Sequence, residues 1–170
     1  DWTMVPYVRK SFYKHYKTGI KHLNSKWYRK LLGYFTKKYT LNIDDNLNDK
    51  VEIDSSLYKK HKKVYKYALE QTEKELVQAV EGLYHNLNSL QSRSGNQLPF
   101  TSINYGTCTS IEGRMVIRAL LNGSIKGVGK LHRTPVFPCG IFQYMKGVND
   151  SPGTPNYDLF RLALKSTSQR

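Results

Sequence analysis

The chain has 170 residues, 39% of them apolar, and a formal net charge of +14, which suits one domain or a piece of a larger one. No run of eighteen apolar residues occurs, excluding a transmembrane helix, and no basic n-region followed by an apolar h-region marks a secretory signal. The chain starts at Asp1 and closes at Arg170 in what reads as an unfinished helix, so an excised segment is expected.

In chain order, "VPYVRKSFYKHYKTGIKHLN" carries Pro6 near its start and apolar or aromatic residues at Val8, Phe12, Tyr16, Ile20 and Leu23. That spacing of three to four predicts an amphipathic helix. A second basic helix is expected from Ser25 to about Tyr39, with Trp27, Leu31, Leu32 and Phe35 on one side. "TLNIDDNLNDKVEID" is polar and reads as a surface connection. A long helix is then predicted from Ser55 or Ser56 to about Ser92, its stripe formed by Leu69, Leu76, Val80, Leu83, Leu87 and Leu90. Such a stripe packs a core or, over three heptads, a coiled-coil partner. Gly95 in "SRSGNQ" offers a left-handed end.

The second half reads strand, helix, strand, helix. Residues 99–106 form the first strand, Thr109 or Ser110 caps a helix with Glu112 in its first turn, and the glycines of "GSIKGVGK" end that helix. "TPVFPCGIFQYM" is the second strand, with a bulge or the strand's start expected at Pro138. "KGVNDSPGTP" is a turn-rich loop, after which Thr154 is expected to cap a last helix with Pro155 at its first position and Asp158 near its positive end. Two strands joined by a helix of this length imply a right-handed parallel βαβ unit. The whole is therefore an α/β chain: residues 1–92 mainly helical and basic, residues 93–170 a βαβα unit.

Charge is concentrated early: from Arg9 to Lys38 there are ten Lys or Arg and no acid. Such a field suits nucleic acid, phospholipid or nucleotide phosphates, and the interleaved Tyr13, Tyr16, Tyr28, Tyr34 and Tyr39 could stack on bases. A basic helical nucleic-acid-binding module is thus one reading of the first half; a solvated helix face is the other.

Candidate chemistry is sparse. Cys108 and Cys139 lack zinc or CxxC spacing, and two thiols without a secretion signal point to a reducing cytoplasm. The five histidines do not pair at metal-ligand spacing, no Ser-His-Asp set is evident and paired strand carboxylates are absent. No catalytic or metal-ligating residue is therefore assigned. What stands out is "FTSINYGTCTS", where a strand end, a glycine and a helix N-terminus meet. Backbone N–H groups at such a junction favour a phosphate or carboxylate, although "NYGTCTS" is neither GxGxxG nor a Walker loop. Ser102, Asn104 and Thr107 are the candidate substrate-pocket residues, with helix capping as the competing role.

"SLQSRSGNQLPFTSINYGT", "EGRMVIRALLNGSIKGVGKLHRTPVFPCGIF" and "KGVNDSPGTPNYDLFRLALKSTSQR" together resemble the large subunit of anaerobic (class III) ribonucleoside-triphosphate reductases. "VPYVRKSFYKHYKTG" is similar to that family's segment after its "QYGG" loop, and the likeness is least over residues 36–58. The resemblance implies a slice of the ten-stranded α/β barrel of glycyl-radical enzymes. It implies conversion of ribonucleoside triphosphates to deoxyribonucleoside triphosphates, with a glycyl radical generating a cysteine thiyl that takes hydrogen from the ribose. Implied partners and cofactors are a radical S-adenosylmethionine activating enzyme, a second copy in a homodimer, a structural zinc site and the nucleotide effectors ATP and dNTP. The family's thiyl cysteine, glycyl loop and zinc cysteines belong to motifs outside this segment. No catalytic role passes to Cys108 or Cys139, and the segment by itself is expected to be inactive.

Overall fold

The computed structural model describes residues 1–23, 53, 59, 61–89 and 100–169. The expected helix over 25–39, most of the polar connection, the start of the long helix and the turn at Gly95 lie outside the described residues. The chain divides into two compact units, one of Val5–Lys74 and one of Asp1–Met4 with Glu75–Arg170.

In the first unit, α1 spans Val5–Leu23. Pro6 sits in its first turn, where a missing N–H breaks no helical hydrogen bond. Val5, Val8, Phe12, Tyr13, Tyr16 and Ile20 are buried along one face, as the three-to-four spacing predicts. They meet Ile53, Val64, Tyr65 and Ala68 in one core. Phe12 is its hub: its ring lies edge-on to Tyr13 at 5.3 Å and to Tyr65 at 5.5 Å, and stacks on Tyr16 at 5.8 Å. Gly19 allows the close approach, since a Cβ there would lie 2.7 Å from Val64 Cγ1. Two expectations are corrected. Tyr13 and Tyr16 are buried and offer no platform for bases, because the face that carries them is the one that buys burial. Ile53, from the stretch read as a surface connection, is an anchor of the core.

The long helix α2 spans Lys62–Ser89. Its buried row is Val64, Tyr65, Ala68, Thr72, Leu76, Val80 and Tyr84, a ridge of mostly four-residue steps, while Leu69, Leu83 and Leu87 are only half-buried. The predicted leucine stripe is thus rotated toward smaller and aromatic residues.

The second unit holds the C-terminal part of α2, strand β1 (Ser102–Tyr105), helix α3 (Ile111–Lys126), strand β2 (Cys139–Phe142) and helix α4 (Tyr157–Ser168). The strands pair in parallel, Ser102 opposite Cys139 and Tyr105 opposite Phe142, so α3 is the crossover that a parallel pair requires. Ser110 caps α3, its hydroxyl accepting from the Gly113 N–H at 3.1 Å, and Gly127 at φ 75° ends it. Both ends follow the sequence expectation. Gly123 lets α3 approach α2, for a Cβ there would lie 2.7 Å from Val80 Cγ1, and the Tyr84 hydroxyl donates to the Leu120 carbonyl at 3.0 Å. Pro138 lies immediately before β2, where its missing N–H interrupts no ladder.

The start of the last helix differs from expectation. Thr154 and Pro155 belong to the preceding turns, with the Thr154 hydroxyl donating to the Ser151 carbonyl at 2.7 Å. The helix begins at Tyr157, and Asn156 is its N-cap residue without a capping side-chain bond. The reason is non-local: the Asn156 carboxamide is engaged by the loop after β1, as described below.

Two glycines in helix interiors should respond oppositely to alanine. A Cβ on Gly113 would lie 2.2 Å from Cys108 Sγ, whereas one on Gly82 meets nothing within 4 Å. Gly82→Ala should gain roughly 0.5–1 kcal/mol from reduced backbone entropy, and Gly113→Ala should lose about 1–3 kcal/mol through overpacking. Denaturant titration of both variants checks the pair of signs.

Tyr16 generates a second prediction. Its hydroxyl is buried with no hydrogen-bond partner, and burial pushes its pKa up to about 12. The protonated form is favoured in the folded state, so this contribution is fully present below the ordinary value of 10 and is lost as pH rises from 10 towards 12. Tyr16→Phe should therefore match or exceed the parent in stability at neutral pH and should flatten the loss above pH 10, read by unfolding titrations from neutral to alkaline pH.

Candidate functional site

Side chains of a strand alternate between faces, and the register sorts four residues to each side of the parallel pair. Ile103, Tyr105, Gly140 and Phe142 share the helix side: Tyr105 is buried, its ring meets Phe142 edge-on at 5.8 Å, and Phe142 reaches Phe160 of α4 at 6.0 Å. Ser102, Asn104, Cys139 and Ile141 share the other side, and all four are exposed. Two of the three predicted site residues are thereby brought together on one polar face, as alternation predicts. A cavity of about 320 Å³ lies on the helix side, lined by Tyr105, Gly140, Phe142, Ser124 and Ser166 among others. Neither Ser102 nor Asn104 lines it.

Thr107 is placed differently. Gly106, at φ 126°, ends the strand and breaks the alternation, a conformation that glycine adopts without steric cost. The Thr107 hydroxyl beyond it accepts from Trp2 Nε1 at 3.3 Å.

The junction at residues 106–108 does bind an anion, and that anion is the chain's own. The Asp1 carboxylate accepts from the backbone N–H of Gly106 at 3.1 Å and of Cys108 at 3.0 Å. These donors are the ones a substrate phosphate would need, so the phosphate reading of this turn gives way to an internal carboxylate.

The carbonyl groups of the same turn are held from the opposite direction. Asn156 Nδ2 donates to the carbonyls of Gly106 at 3.0 Å and Cys108 at 2.9 Å. Asn149 Nδ2 donates to the carbonyls of Gly106 at 3.2 Å and Gln143 at 2.8 Å. Both asparagines are fully buried, and burial of a carboxamide is tolerated when its donors and acceptor are used. Arg114 supports Asn156: one guanidinium nitrogen donates to Asn156 Oδ1 at 2.7 Å and to the Pro155 carbonyl, the other to both oxygens of Asp158 at 2.9 Å. Arg118 adds a third bond to Asp158 at 2.9 Å. Burial by itself would push the Asp158 carboxyl up, but the hydrogen bonds and charge of Arg114, with Arg118 and the Leu159 N–H, hold it below its ordinary value.

A further asparagine acts before β2. Asn88 Oδ1 accepts from the N–H groups of Val136 at 2.7 Å and Phe137 at 3.1 Å, while its Nδ2 donates to the carbonyls of Phe137 and Tyr84, each at 2.6 Å. The carboxamide satisfies backbone groups ahead of β2, which is four residues long rather than the expected twelve.

Both thiols are free, Cys108 buried and Cys139 exposed. Cys108 Sγ lies 3.3 Å from the Ser110 hydroxyl at the cap of α3. Among the described residues no group of three or more His, Cys, Asp or Glu could hold a metal ion. Sequence reasoning missed Asp1, Asn149 and Asn156. No local signal marks them: Asn149 lies in the stretch read as a turn-rich loop, Asn156 follows the expected cap Thr154 and Pro155, and Asp1 carries no assigned role.

Comparison with known proteins supplies a family. The family model described as "Anaerobic ribonucleoside-triphosphate reductase" matches residues 1–170. The anaerobic ribonucleoside-triphosphate reductase of Haemophilus influenzae is 38% identical over 134 residues, 75% of this chain and 19% of that protein. The protein of the same name from Escherichia coli is 36% identical over 122 residues, covering 66% of this chain and 17% of its own length. That of Enterobacteria phage T4 is 35% identical over 140 residues, 82% and 21% respectively. The chain spans about a fifth of the length of these relatives.

The Arg114–Asp158 contact yields an acid-side prediction. A carboxyl held below its ordinary value of 3.8 contributes stability above that value, and the contribution is lost as pH falls through the lowered one. Asp158→Asn should lower the melting temperature at pH 7, and its difference from the parent protein should narrow at acid pH as the parent's carboxylate is protonated through its lowered value. Equal offsets at pH 7 and at acid pH would contradict this.

Proposed function

The chain belongs to the anaerobic ribonucleoside-triphosphate reductase family, and we propose that it is a segment of the catalytic barrel of such an enzyme, with the polar face of its sheet turned towards the nucleotide. On this reading α3 and α4 lie on the outside of an α/β barrel, and Ser102, Asn104, Cys139 and Ile141 line its interior. The observation that carries it is the division of the sheet: helices cover the side of Tyr105 and Phe142, while the side of Ser102 and Asn104 is exposed. A polar face inside a barrel requires hydrogen-bonding partners, and a ribonucleoside supplies them. Asn104 offers both donors and an acceptor, and Ser102 a hydroxyl that can serve as either, which suits ribose hydroxyls or base edges. Thr107 is a supporting residue of the turn rather than part of the face.

The family's radical chemistry is supplied by a glycyl radical and a thiyl cysteine, neither of which this segment's motifs contain; the residues here bind and orient. We assign the activating enzyme, the second copy of a dimer and the effector nucleotides to the whole protein, with reduction of ribonucleoside triphosphates as its reaction. The family match covers the basic stretch as well, and Tyr13 and Tyr16 of α1 are buried in the core, so the alternative of a separate nucleic-acid-binding module is set aside. No described helix is long and apolar enough to cross a membrane.

The test is Asn104→Leu in the full-length protein, assayed anaerobically with its activating enzyme and a reductant. The expected outcome is a raised KM or lowered kcat for ribonucleoside triphosphates with melting little changed. A loss of about 1–3 kcal/mol in stability with intact kinetics, the signature of a buried partner left unsatisfied, would reject the pocket assignment. Absence of any nucleotide reduction by the parent protein would reject the activity.

A further inference from the structure

Asn149 bridges the C-terminal ends of both strands. Past the last ladder bond, where the Gln143 N–H donates to the Tyr105 carbonyl at 2.7 Å, the two backbones turn away from each other, β1 through Gly106 and β2 into the loop from Gln143. The two N–H groups of the Asn149 carboxamide go to different strands, one to the Gly106 carbonyl and one to the Gln143 carbonyl. Its Oδ1 accepts from the Met145 N–H at 2.9 Å. The side chain thus extends the parallel pairing by one step with no exposed surface of its own. Asn156 shares the Gly106 carbonyl and ties it to Cys108 and Arg114, whereas Asn149 hydrogen-bonds to the backbone beyond both strands.

We infer that Asn149 is a positioning residue for the nucleotide face, setting the separation of the two strand ends on which Asn104 and Ile141 are carried. The inference rests on the function proposed above. Asn104 and Ile141 are paired in register, one residue before Tyr105 and Phe142, so the strand ends that Asn149 joins begin two residues beyond them. The arm to Gly106 cannot be replaced by water without opening the junction, because Gly106 and Asn149 are both buried; Gln143, at the other arm, is exposed. Loss of the carboxamide takes the side-chain partner from the Gln143 carbonyl and the Met145 N–H, leaves the Gly106 carbonyl with Asn156 alone, and lets β1 and β2 separate at the end nearest the site. A misplacement of about 1 Å can lower turnover by roughly a hundredfold even when the altered residue does not touch substrate.

Asn88 provides a matched control. It also hydrogen-bonds only to backbone, through both ends of its carboxamide, but before β2 at the opposite end of the strand. Asn149→Ala and Asn88→Ala are made in the full-length protein and assayed for ribonucleoside-triphosphate reduction at a temperature where both are folded, beside their melting curves. Both variants should melt lower. Asn149→Ala alone should raise KM or lower kcat by roughly tenfold or more; Asn149→Ser replaces it if alanine prevents folding. A lowered melting point with KM and kcat unchanged in Asn149→Ala overturns the inference, as does an equal kinetic loss in Asn88→Ala. Asn104→Leu separates the two claims. A kinetic loss there, without one in the Asn149 variant, removes the positioning role and leaves the face assignment standing. Unchanged kinetics in Asn104→Leu removes the face assignment itself.

Discussion

The carbonyl oxygen of Gly106 receives two amide protons, one from Asn149 and one from Asn156, and the second unit is organised around that point. A carbonyl has two lone pairs, and filling both inside a protein requires donors whose own remaining groups are also satisfied. Asn149 meets the condition through Gln143 and Met145, and Asn156 through Cys108 and Arg114. The chain of requirement then runs outward: Arg114 needs Asp158, and Asp158 lies in the first turn of α4. The end of one strand, the start of the next helix, the loop after the second strand and the last helix are consequently parts of one hydrogen-bonded assembly. Removing Asn156 takes the side-chain partner from the buried Cys108 carbonyl, which costs more than the bond itself contributed.

The same turn shows how a general rule about anions can hold while its obvious application does not. Backbone N–H groups at a strand-to-helix junction attract negative charge, and at Gly106 and Cys108 the charge is Asp1. On the function proposed above, substrate recognition falls to neutral hydrogen-bonding groups on the sheet face, Ser102 and Asn104, which discriminate by geometry rather than by charge.

Much of this was legible in the sequence wherever the signal is local. The three-to-four spacing from Val8 to Ile20, the Ser110 cap, Glu112 in the first turn, Gly127 at the helix end and the alternation through Ser102 and Asn104 all concern neighbours within a turn or two, and both helices stand where the pattern places them, while β1 is shorter than the expected 99–106. Thr107 escaped alternation because the backbone of Gly106 leaves the extended region. The start of α4 was misjudged for a related reason. Thr154 and Pro155 have the chemistry of a cap and a first turn, but Asn156 is drawn to carbonyls 48 and 50 residues away. A single polar residue answering a distant backbone group has no period, and no window of sequence contains both partners. The reductase assignment came from resemblance, since polar residues on a strand do not name a ligand.

The Asp1 contact spans 105 residues to Gly106 and 107 to Cys108, and this gives the fold an order in time. At a synthesis rate of about 5–20 residues per second, the carboxylate waits on the order of 5–20 s for its two N–H donors to be made. The asparagines that close the carbonyl side follow 43 and 50 residues later still. In order of synthesis, the partner of this turn's N–H groups precedes it and the partners of its carbonyl groups come after it.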